Sequence, residues 1–151
     1  MTQEARPQAE PTATSARELL PLAARAARNA YAPYSHFRVG AAVLGEHGIY
    51  LGANVENASH GLALCAERAA LAAAIAAGER RFVALAVACI DAPPGAAEAE
   101  RMPCGACRQW LAELAPEAEI AVLGVERTFA VADLLPHAFT LRHPPDHEPP
   151  K

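Results

Sequence analysis

Three cysteines and one glutamate have the spacing expected of a catalytic metal site. Cys65 is followed two residues later by Glu67, and Cys104 and Cys107 form a Cys-x-x-Cys pair downstream. Three thiolates are one ligand short of a closed structural zinc cage, whereas catalytic zinc sites keep their fourth position for water. A carboxylate two residues from a ligand is well placed to move that water's protons. The pattern predicts metal-assisted hydrolysis.

The Cys104–Cys107 pair alone is ambiguous. It is compatible with a zinc half-site, with a thioredoxin-like redox pair, and with two buried cysteines of no chemical role. Cys65 and Cys104 both fall where helices are predicted to begin, and a helix N-terminus lowers the pKa of a thiol, which favours thiolate ligands. A redox pair would not require Cys65 and Glu67 on another helix. Cys89 lies inside an apolar run and is predicted to be a packed core residue.

Arg68 is the candidate for balancing the charge of this site. Three thiolates on Zn²⁺ leave a net charge of −1, which makes a bound water less acidic than neutral ligands would. Arg68 directly follows Glu67 and could donate a hydrogen bond to a thiolate. Taken alone, Arg68 could equally be a solvated surface arginine. Glu67 taken alone could be an ordinary surface acid that the helix dipole favours near a helix N-terminus.

A second group of polar residues could bind a sugar hydroxyl. Asn54 and Glu56 follow a predicted strand, and residues i and i+2 of an extended chain point the same way. An amide and a carboxylate side by side are suited to a hydroxyl, although polar residues at a strand end are common. Phe37 begins the preceding strand, where an aromatic residue is more often core than a stacking surface.

Alternating helices and strands must position these residues. The first helix is predicted to begin at a capping box at Ser15 and to end by Pro33. Further helices are predicted over residues 65–77, 104–114 and 133–139. Strands are predicted over residues 37–44, 49–55, 82–90, 120–123 and 129–131. The strand at 37–44 is apolar on both faces and is expected to be buried on both sides. Pro21 lies too deep for the first turn of a helix capped by Ser15, which predicts a kink or a later start. The order indicates a layered α/β domain with a mixed sheet.

Composition limits the partners and the location. The chain has 151 residues, 52% of them hydrophobic, which suits one globular domain over residues 14–142 with disordered tails at 1–13 and 143–151. Acidic residues outnumber basic ones 17 to 13 without a basic cluster, which disfavours DNA and RNA as substrates. No secretory signal and no run of about 18 apolar residues is present. With four cysteines, this favours a reducing compartment, and we expect a cytoplasmic protein without a membrane partner.

Several separated motifs, in order, resemble the small homotetrameric cytidine deaminases of the three-cysteine zinc type. They are residues 31–42 (YAPYSHFRVGAA), 54–59 (NVENAS), 65–68 (CAER), 103–109 (PCGACRQ) and 134–136 (LLP). Together they span roughly residues 15–140, and the ligand-x-Glu and Pro-Cys-x-x-Cys pair is the zinc deaminase signature. The resemblance implies a three-layer α/β/α domain with a mixed sheet of roughly five strands.

The resemblance also implies a reaction and a set of roles. Zinc, one ion per chain, is held by Cys65, Cys104 and Cys107, and an activated water attacks C4 of cytosine. Glu67 moves protons from that water to ring N3 and to the departing amine, which yields uridine and ammonia. For the substrate, the resemblance implies that Phe37 lies against the base and that the Ala66 backbone contacts the base. Asn54 and Glu56 would bind the ribose 3′-hydroxyl, and Phe139 would come from a neighbouring subunit. Arg68 would donate to the thiolates from behind the metal ligands.

One of the departures from the family's pattern bears on assembly, and three rival interpretations remain. His60 stands where tyrosine is usual, near a subunit boundary, where a histidine could make assembly or affinity pH-sensitive. The rivals are a deaminase of a related cytosine compound, such as blasticidin S or a deoxycytidine nucleotide, a non-enzymatic zinc module closed by His60, and a redox pair. A nucleotide enzyme should carry basic residues for its phosphate, and none can be assigned.

Overall fold

A computed structural model describes residues 13–141 of the chain. The predicted tails lie outside the described residues, apart from Ala13. Within the described part no helix combines the length and the apolar character needed to cross a membrane.

Within residues 13–141, four α-helices and five strands follow one another. They are α1 (Leu20–Ala27), β1 (Val39–Gly45), β2 (Ile49–Ala53), α2 (Ala66–Ala76), β3 (Phe82–Cys89), α3 (Gly105–Leu114), β4 (Glu119–Val122), β5 (Phe129–Ala130) and α4 (Val131–Leu134). Short 3₁₀ turns at Arg17–Leu19, His60–Leu62 and Glu98–Glu100 lie in the connections. The predicted order of elements is therefore confirmed.

The first helix begins differently from the sequence prediction. Ser15 does not cap it; instead the Glu18 carboxylate accepts hydrogen bonds from the Thr14 backbone N–H at 2.6 Å and from the Thr14 hydroxyl at 3.1 Å. A 3₁₀ turn follows, and the α-helix starts at Leu20 with Pro21 in its first turn. Proline is tolerated there because the first-turn N–H groups have no intrahelical acceptor. Of the two predicted consequences of Pro21, the later start is the correct one.

The last predicted helix is also misplaced. The structure has a single helical turn at Val131–Leu134, ahead of the predicted 133–139. Leu135 leaves helical geometry with φ −142° and ψ 74° because it precedes Pro136, whose ring disfavours the helical conformation of the residue before it. His137 then adopts a positive φ of 58°.

The five strands form one mixed sheet in the order β2-β1-β3-β4-β5. The β3–β4 pair is parallel and the other pairs are antiparallel. The β1–β2 hairpin is closed by a turn in which the Gly45 N–H donates to the Gly48 carbonyl at 2.9 Å. Most of β1 is buried, as predicted for a strand covered on both faces.

Helices cover both faces of this sheet, which gives the predicted three layers. On one face α1 packs on an alanine surface; its buried members include Ala42, Ala84, Ala86, Ala88 and Ala121. On the other face α2, α3 and α4 pack on larger side chains, among them Val43, Leu85, Val87, Ile120 and Val122. Residues of β1, β3 and β4 alternate between the two clusters because successive side chains of a strand point to opposite faces.

Two glycines let the helices approach the sheet at backbone contact. A Cβ atom on Gly40 would lie 2.0 Å from the Ala23 carbonyl oxygen of α1, and one on Gly52 would lie 2.3 Å from the Ala66 carbonyl oxygen of α2. Any larger residue would push the helix away. Gly52 therefore sets the position of the first turn of α2, the turn that carries Glu67.

A buried carboxylate, which the sequence did not reveal, organises the hairpin turn. Glu79, 1% exposed, accepts hydrogen bonds from the backbone N–H groups of Glu46 at 2.9 Å and His47 at 2.7 Å, and from the Tyr50 hydroxyl at 3.2 Å. Burial opposes ionisation, but the hydrogen bonds from His47, Glu46 and Tyr50 outweigh it and hold the pKa of Glu79 below its ordinary value. This residue joins the end of α2 to the β1–β2 turn.

Candidate active site

The three predicted cysteine ligands meet at the N-terminal ends of two helices. Cys65 is the N-cap of α2 and Cys104 the N-cap of α3, while Cys107 lies in the first turn of α3. The Sγ atoms of Cys65 and Cys104 are 3.7 Å apart, and those of Cys104 and Cys107 are 3.5 Å apart. The helix N-termini thus direct their partial positive charges at one cluster of sulfur atoms.

The sulfur spacing fits one tetrahedral metal ion. Zinc–thiolate bonds of about 2.3 Å in a tetrahedron place the sulfurs about 3.8 Å apart. All three Sγ atoms lie within 4.8 Å of one another. Among residues 13–141, no other group of three or more possible ligand atoms lies this close together. Thiolates are also the donors that zinc favours.

The electrostatics of the cluster call for a cation. A hydrogen bond from the Cys107 thiol, followed by those from Arg68 and Cys104, lowers the pKa of Cys65 to about 5. The same pairing with Cys65, together with burial, raises the pKa of Cys107. Three thiols at this distance cannot all ionise side by side unless a positive charge compensates them. A divalent ion bound to the three sulfur atoms would supply that charge.

Arg68 lies against the cluster, as expected. Its Nη2 atom donates to the Cys65 Sγ at 3.5 Å and to the Ala63 carbonyl at 3.3 Å. Hydrogen bonding to Cys65 raises the pKa of the guanidinium. Its Nε atom is buried and has no hydrogen-bond partner among the described residues. The residue is therefore not a solvated surface arginine, since its charge faces the sulfur atoms.

Glu67 is enclosed beside the cysteines. It follows Ala66 in the first turn of α2 and is only 4% exposed. Burial raises the pKa of its carboxyl to about 7, and the negative charge of Cys65 acts in the same direction. A buried carboxyl with such a pKa can both accept and release a proton near neutral pH, which a surface acid rarely does.

The candidate sugar-binding residues are brought to the metal cluster by the backbone of Val55. Val55 exchanges two hydrogen bonds of 2.9 Å with Leu64, the residue before Cys65, and forms a parallel bridge with Tyr31. Asn54 and Glu56 flank Val55, so both lie next to the segment that carries the first ligand. Irregular backbone pairing, rather than a strand of the sheet, makes this connection.

Asn54 holds the start of β1 through both ends of its amide. Its Oδ1 atom accepts from the Val39 N–H at 2.8 Å, and its Nδ2 atom donates to the Phe37 carbonyl at 3.0 Å. One N–H of the amide remains for another acceptor. Phe37 is half-buried and packs partly against the core, so its ring has both a core face and an open face.

Glu56 is held by the loop before β1, a contact that sequence reasoning missed. Its carboxylate accepts hydrogen bonds from the backbone N–H groups of Tyr34 at 3.0 Å and Ser35 at 3.2 Å, and from the Ser35 hydroxyl. These residues are 21 and 22 positions away in the chain, and Ser35 resembles any polar turn residue. Ser35 lies within the family motif at residues 31–42, but nothing in that stretch indicates that its partner is Glu56.

A second missed residue, Arg108, braces the loop that carries Cys104. Its Nε atom donates to the Pro103 carbonyl at 2.8 Å, and its Nη1 atom donates to the Leu134 carbonyl at 2.9 Å. The arginine thereby ties the ligand loop to α4. Its place next to Cys107 is a possible signal, but a helical arginine on its own more often faces water.

Phe139 stands apart from the other candidates within the single chain. Its side chain is 71% exposed, and its carbonyl accepts a hydrogen bond from Gln109 Nε2 at 2.9 Å. Other candidate side chains are buried or half-buried within the chain; they include Phe37, Asn54 and Glu67. The ring of Phe139 projects outward instead.

His60 is not a metal ligand in this structure. Its ring lies 5.9 Å from the Tyr34 ring, centroid to centroid, and it is absent from the group of close ligand atoms. The cluster within residues 13–141 is thus a three-ligand site, the arrangement that leaves a coordination position for water. Cys104 is exposed, which leaves the cluster open on its side.

Comparison with known proteins places the chain in a family. Residues 13–123 match the family described as the cytidine and deoxycytidylate deaminase zinc-binding region. A cytidine deaminase of Halalkalibacterium halodurans is 46% identical over 127 residues, which cover 81% of this chain and 92% of that protein.

Solved structures agree with the sequence comparison. A cytidine deaminase from Burkholderia pseudomallei is 44% identical, with a TM-score of 0.71 over 83% of this chain and 100% of the other. The Mycobacterium tuberculosis cytidine deaminase is 40% identical, with a TM-score of 0.70 over 85% of this chain and 100% of the other. With the three-cysteine cluster and the α/β/α fold, these matches show that the chain belongs to the cytidine and deoxycytidylate deaminase zinc-binding family.

Proposed function

We propose that this protein is a zinc-dependent deaminase that hydrolyses cytidine and deoxycytidine to uridine and deoxyuridine, with release of ammonia, in pyrimidine salvage. The observation that carries the proposal is the open three-sulfur cluster with Glu67 enclosed beside it. The matched relatives of similar length, named as cytidine deaminases, support the substrate.

In this proposal Cys65, Cys104 and Cys107 hold one zinc ion. When bound, zinc supplies a water-derived nucleophile near neutral pH. Arg68 offsets the charge of the thiolates through its hydrogen bond to Cys65. The N-termini of α2 and α3 act in the same direction.

Glu67 performs the proton transfers in this proposal. Its carboxylate takes a proton from the attacking water and delivers one to ring N3 of cytosine. It next takes the second proton of the original water, from the hydroxyl now on C4, and passes it to the amine, which leaves as ammonia while the C4 carbonyl of uridine forms. Because the carboxyl is buried, it exchanges protons with the substrate rather than with bulk solvent.

The remaining candidates orient the nucleoside. Phe37 lies against the pyrimidine, the backbone of Ala66 contacts the base, and Asn54 and Glu56 bind the ribose 3′-hydroxyl. The hydrogen bond from the Ser35 hydroxyl, helped by those from the loop amides, outweighs the opposing effect of burial, lowers the pKa of Glu56 and keeps it ionised. An ionised carboxylate at the sugar disfavours a nucleotide, because it would repel a phosphate.

The functional unit in this proposal is a cytoplasmic homotetramer in which Phe139 enters the site of a neighbouring subunit. The outward-facing Phe139 supports this, as does a cavity of about 560 Å³ between α2 and α3 whose lining residues are not candidate site residues. The four cysteines, all within the described residues, form no disulfide, which fits a reducing compartment. One folded domain over residues 14–142, with disordered tails, completes the proposal.

An absorbance assay of the purified protein tests the activity. Cytidine, deoxycytidine, dCMP and blasticidin S are supplied in parallel, with zinc per chain measured on the same sample. We expect uridine and deoxyuridine to form, about one zinc per chain, and no dUMP. Turnover of dCMP or blasticidin S without turnover of the nucleosides would overturn the proposal.

A further inference from the structure

The loop over residues 31–37 wraps around the Glu56 carboxylate. One carboxylate oxygen, Oε2, accepts from the backbone N–H groups of Tyr34 at 3.0 Å and Ser35 at 3.2 Å. The other oxygen, Oε1, accepts from the hydroxyl of Ser35. Three donors from two adjacent residues thus fix the carboxylate from one side.

The Ser35 hydroxyl also touches the next substrate-facing residue. Its Oγ atom accepts a hydrogen bond from the Phe37 N–H at 3.1 Å. His36, between the two, has a positive φ of 54°, and its N–H donates to the Ala32 carbonyl at 3.1 Å. This left-handed residue bends the loop so that the hydroxyl lies between the Phe37 backbone and the Glu56 side chain.

The hydrogen-bonding capacity of Glu56 leaves room for one ligand group. An ionised carboxylate offers about four acceptor sites on its two oxygens. The loop fills three of them, so one remains. Glu56 also lines a cavity of about 290 Å³, together with Tyr34, Ser35, Asn57, His60 and Ala63. A single hydroxyl donor entering this cavity would complete the set.

We propose that Ser35 is a positioning residue for substrate recognition, whose hydroxyl holds the Glu56 carboxylate in the one orientation that accepts the 3′-hydroxyl of the nucleoside. It acts through Glu56 and does not touch the substrate itself. The inference rests on the proposed nucleoside activity and extends it to a residue outside the zinc signature. The same hydroxyl couples the sugar-binding carboxylate to the backbone of Phe37.

The test combines variants of Ser35 with substrates that have or lack the hydroxyl. Cytidine and 3′-deoxycytidine are compared in the wild type, Ser35→Ala and Ser35→Thr, with KM and kcat measured separately. In Ser35→Ala, the loss of one charge-assisted hydrogen bond should raise KM for cytidine about tenfold and change kcat less than about twofold. KM for 3′-deoxycytidine should change less than about threefold. Ser35→Thr keeps a hydroxyl and should restore most of the preference for cytidine.

The outcomes separate a positioning role from a structural one. A loosened loop would weaken both substrates equally and leave their kcat/KM ratio unchanged, which would overturn the inference. An unchanged KM for cytidine in Ser35→Ala would also overturn it.

A third variant distinguishes failure of this inference from failure of the proposed function. Glu56→Gln should lose the preference for the 3′-hydroxyl entirely. If it keeps the preference while cytidine is turned over, the sugar contact and the role of Ser35 both fall, but the activity stands. If the wild type does not turn over cytidine, the proposed function falls and the inference with it.

Discussion

At the scale of single residues, the four cysteines divide by what their sulfur atoms contact. Cys65, Cys104 and Cys107 contact one another at the helix N-termini. Cys89 is 6% exposed at the end of β3, and its thiol donates to the Arg101 carbonyl at 3.7 Å. Burial, which is the larger effect, and the charge of Glu67 raise the pKa of Cys89 to about 11, so it remains a thiol.

Substitution of one buried cysteine should therefore lower the zinc content, and substitution of another should leave it unchanged. Cys107→Ser removes a proposed ligand, and zinc per chain should fall well below one, with a loss of turnover of at least about 10²-fold. Cys89→Ser, its matched control, should keep its zinc, with a stability loss of about 1 kcal/mol. Elemental analysis of the purified variants measures this. Equal zinc contents would contradict the assignment.

The Arg38–Asp91 pair predicts a pH dependence of stability. Arg38 donates to Asp91 from Nη2 at 2.7 Å, from Nε at 2.9 Å and from its backbone N–H at 2.8 Å. These bonds, led by those of the side chain, lower the pKa of Asp91 to about 2, against about 3.9 in the unfolded chain. The pair therefore stabilises the fold above about pH 4, and its contribution is lost as the pH falls towards 2.

Urea unfolding of the wild type and Asp91→Asn at several pH values measures that contribution. The difference in the free energy of unfolding should be constant near neutral pH and shrink on acidification from about pH 4. Arg38→Gln, which removes the other partner, should show the same trend. A difference that grows at low pH would rule out this assignment.

Sequence reasoning at this scale identified the cysteine cluster, because a metal site requires several rare residue types at fixed spacing. Cysteines followed by glutamate, and a Pro-Cys-x-x-Cys stretch, are seldom accidental. Ser35 and Glu79 were missed for the opposite reason. Their partners lie 21 and 29–33 residues away, and a serine or glutamate without its partner has no distinguishing feature.

At the scale of elements, the first turn of α2 must lie at a fixed distance from β2. Gly52 provides that distance, because a Cβ atom there would lie 2.3 Å from the Ala66 carbonyl oxygen and 2.4 Å from the Ala70 nitrogen. Both neighbours are backbone atoms, which cannot rotate away. The turn carries Glu67, and Cys65 immediately precedes it.

Gly52→Ala should therefore displace the site as well as destabilise the fold. We expect a loss of about 1–3 kcal/mol in the free energy of unfolding, as for other overpacked cores, and a fall in kcat/KM of at least about tenfold from misplaced groups. Gly48→Ala is the control, since its Cβ would meet only the Tyr50 side chain, at 3.6–3.8 Å. Chemical denaturation and steady-state kinetics give both quantities, and identical behaviour of the two variants would refute the account.

Element types were predictable here, but some element ends were not. Short apolar segments identified every strand, since each strand contributes to one buried sheet. The start of α1 depended on whether Thr14 or Ser15 pairs with Glu18. The end of α4 depended on the conformation of Leu135, the residue before Pro136. Both are choices between neighbouring residues with similar propensities, which hydrophobic periodicity cannot resolve.

At the scale of the whole molecule, several large apolar side chains remain uncovered in the single chain. Those exposed by half or more are Tyr31, Tyr34, Leu62, Val83, Phe139 and Leu141. Trp110 is 37% exposed and lines the cavity between α2 and α3. Helical spacing marks an apolar face but does not tell a core from an interface between subunits. Exposed apolar surface of this kind supports the proposed assembly.

Mixing two inactive variants tests whether sites are shared between subunits. Phe139→Ala should lose most activity because each site lacks its neighbour's ring, and Glu67→Gln because each site lacks its proton carrier. Mixed oligomers, formed by co-expression, should contain sites with both groups and be several-fold more active than either variant alone. Activity no higher than the average of the two would place Phe139 in its own chain's site or outside any site.

The central claim is that Glu67 moves protons at a zinc site, and Glu67→Gln tests it most directly. The measurement is cytidine turnover per zinc-loaded chain in the wild type and the variant. The side chains are nearly isosteric, and Glu67 is not a proposed ligand, so zinc content and melting temperature should be retained. Loss of a positioned proton carrier should lower kcat by about 10²–10⁴-fold. A zinc-loaded variant that retained more than about a tenth of wild-type turnover would contradict the account.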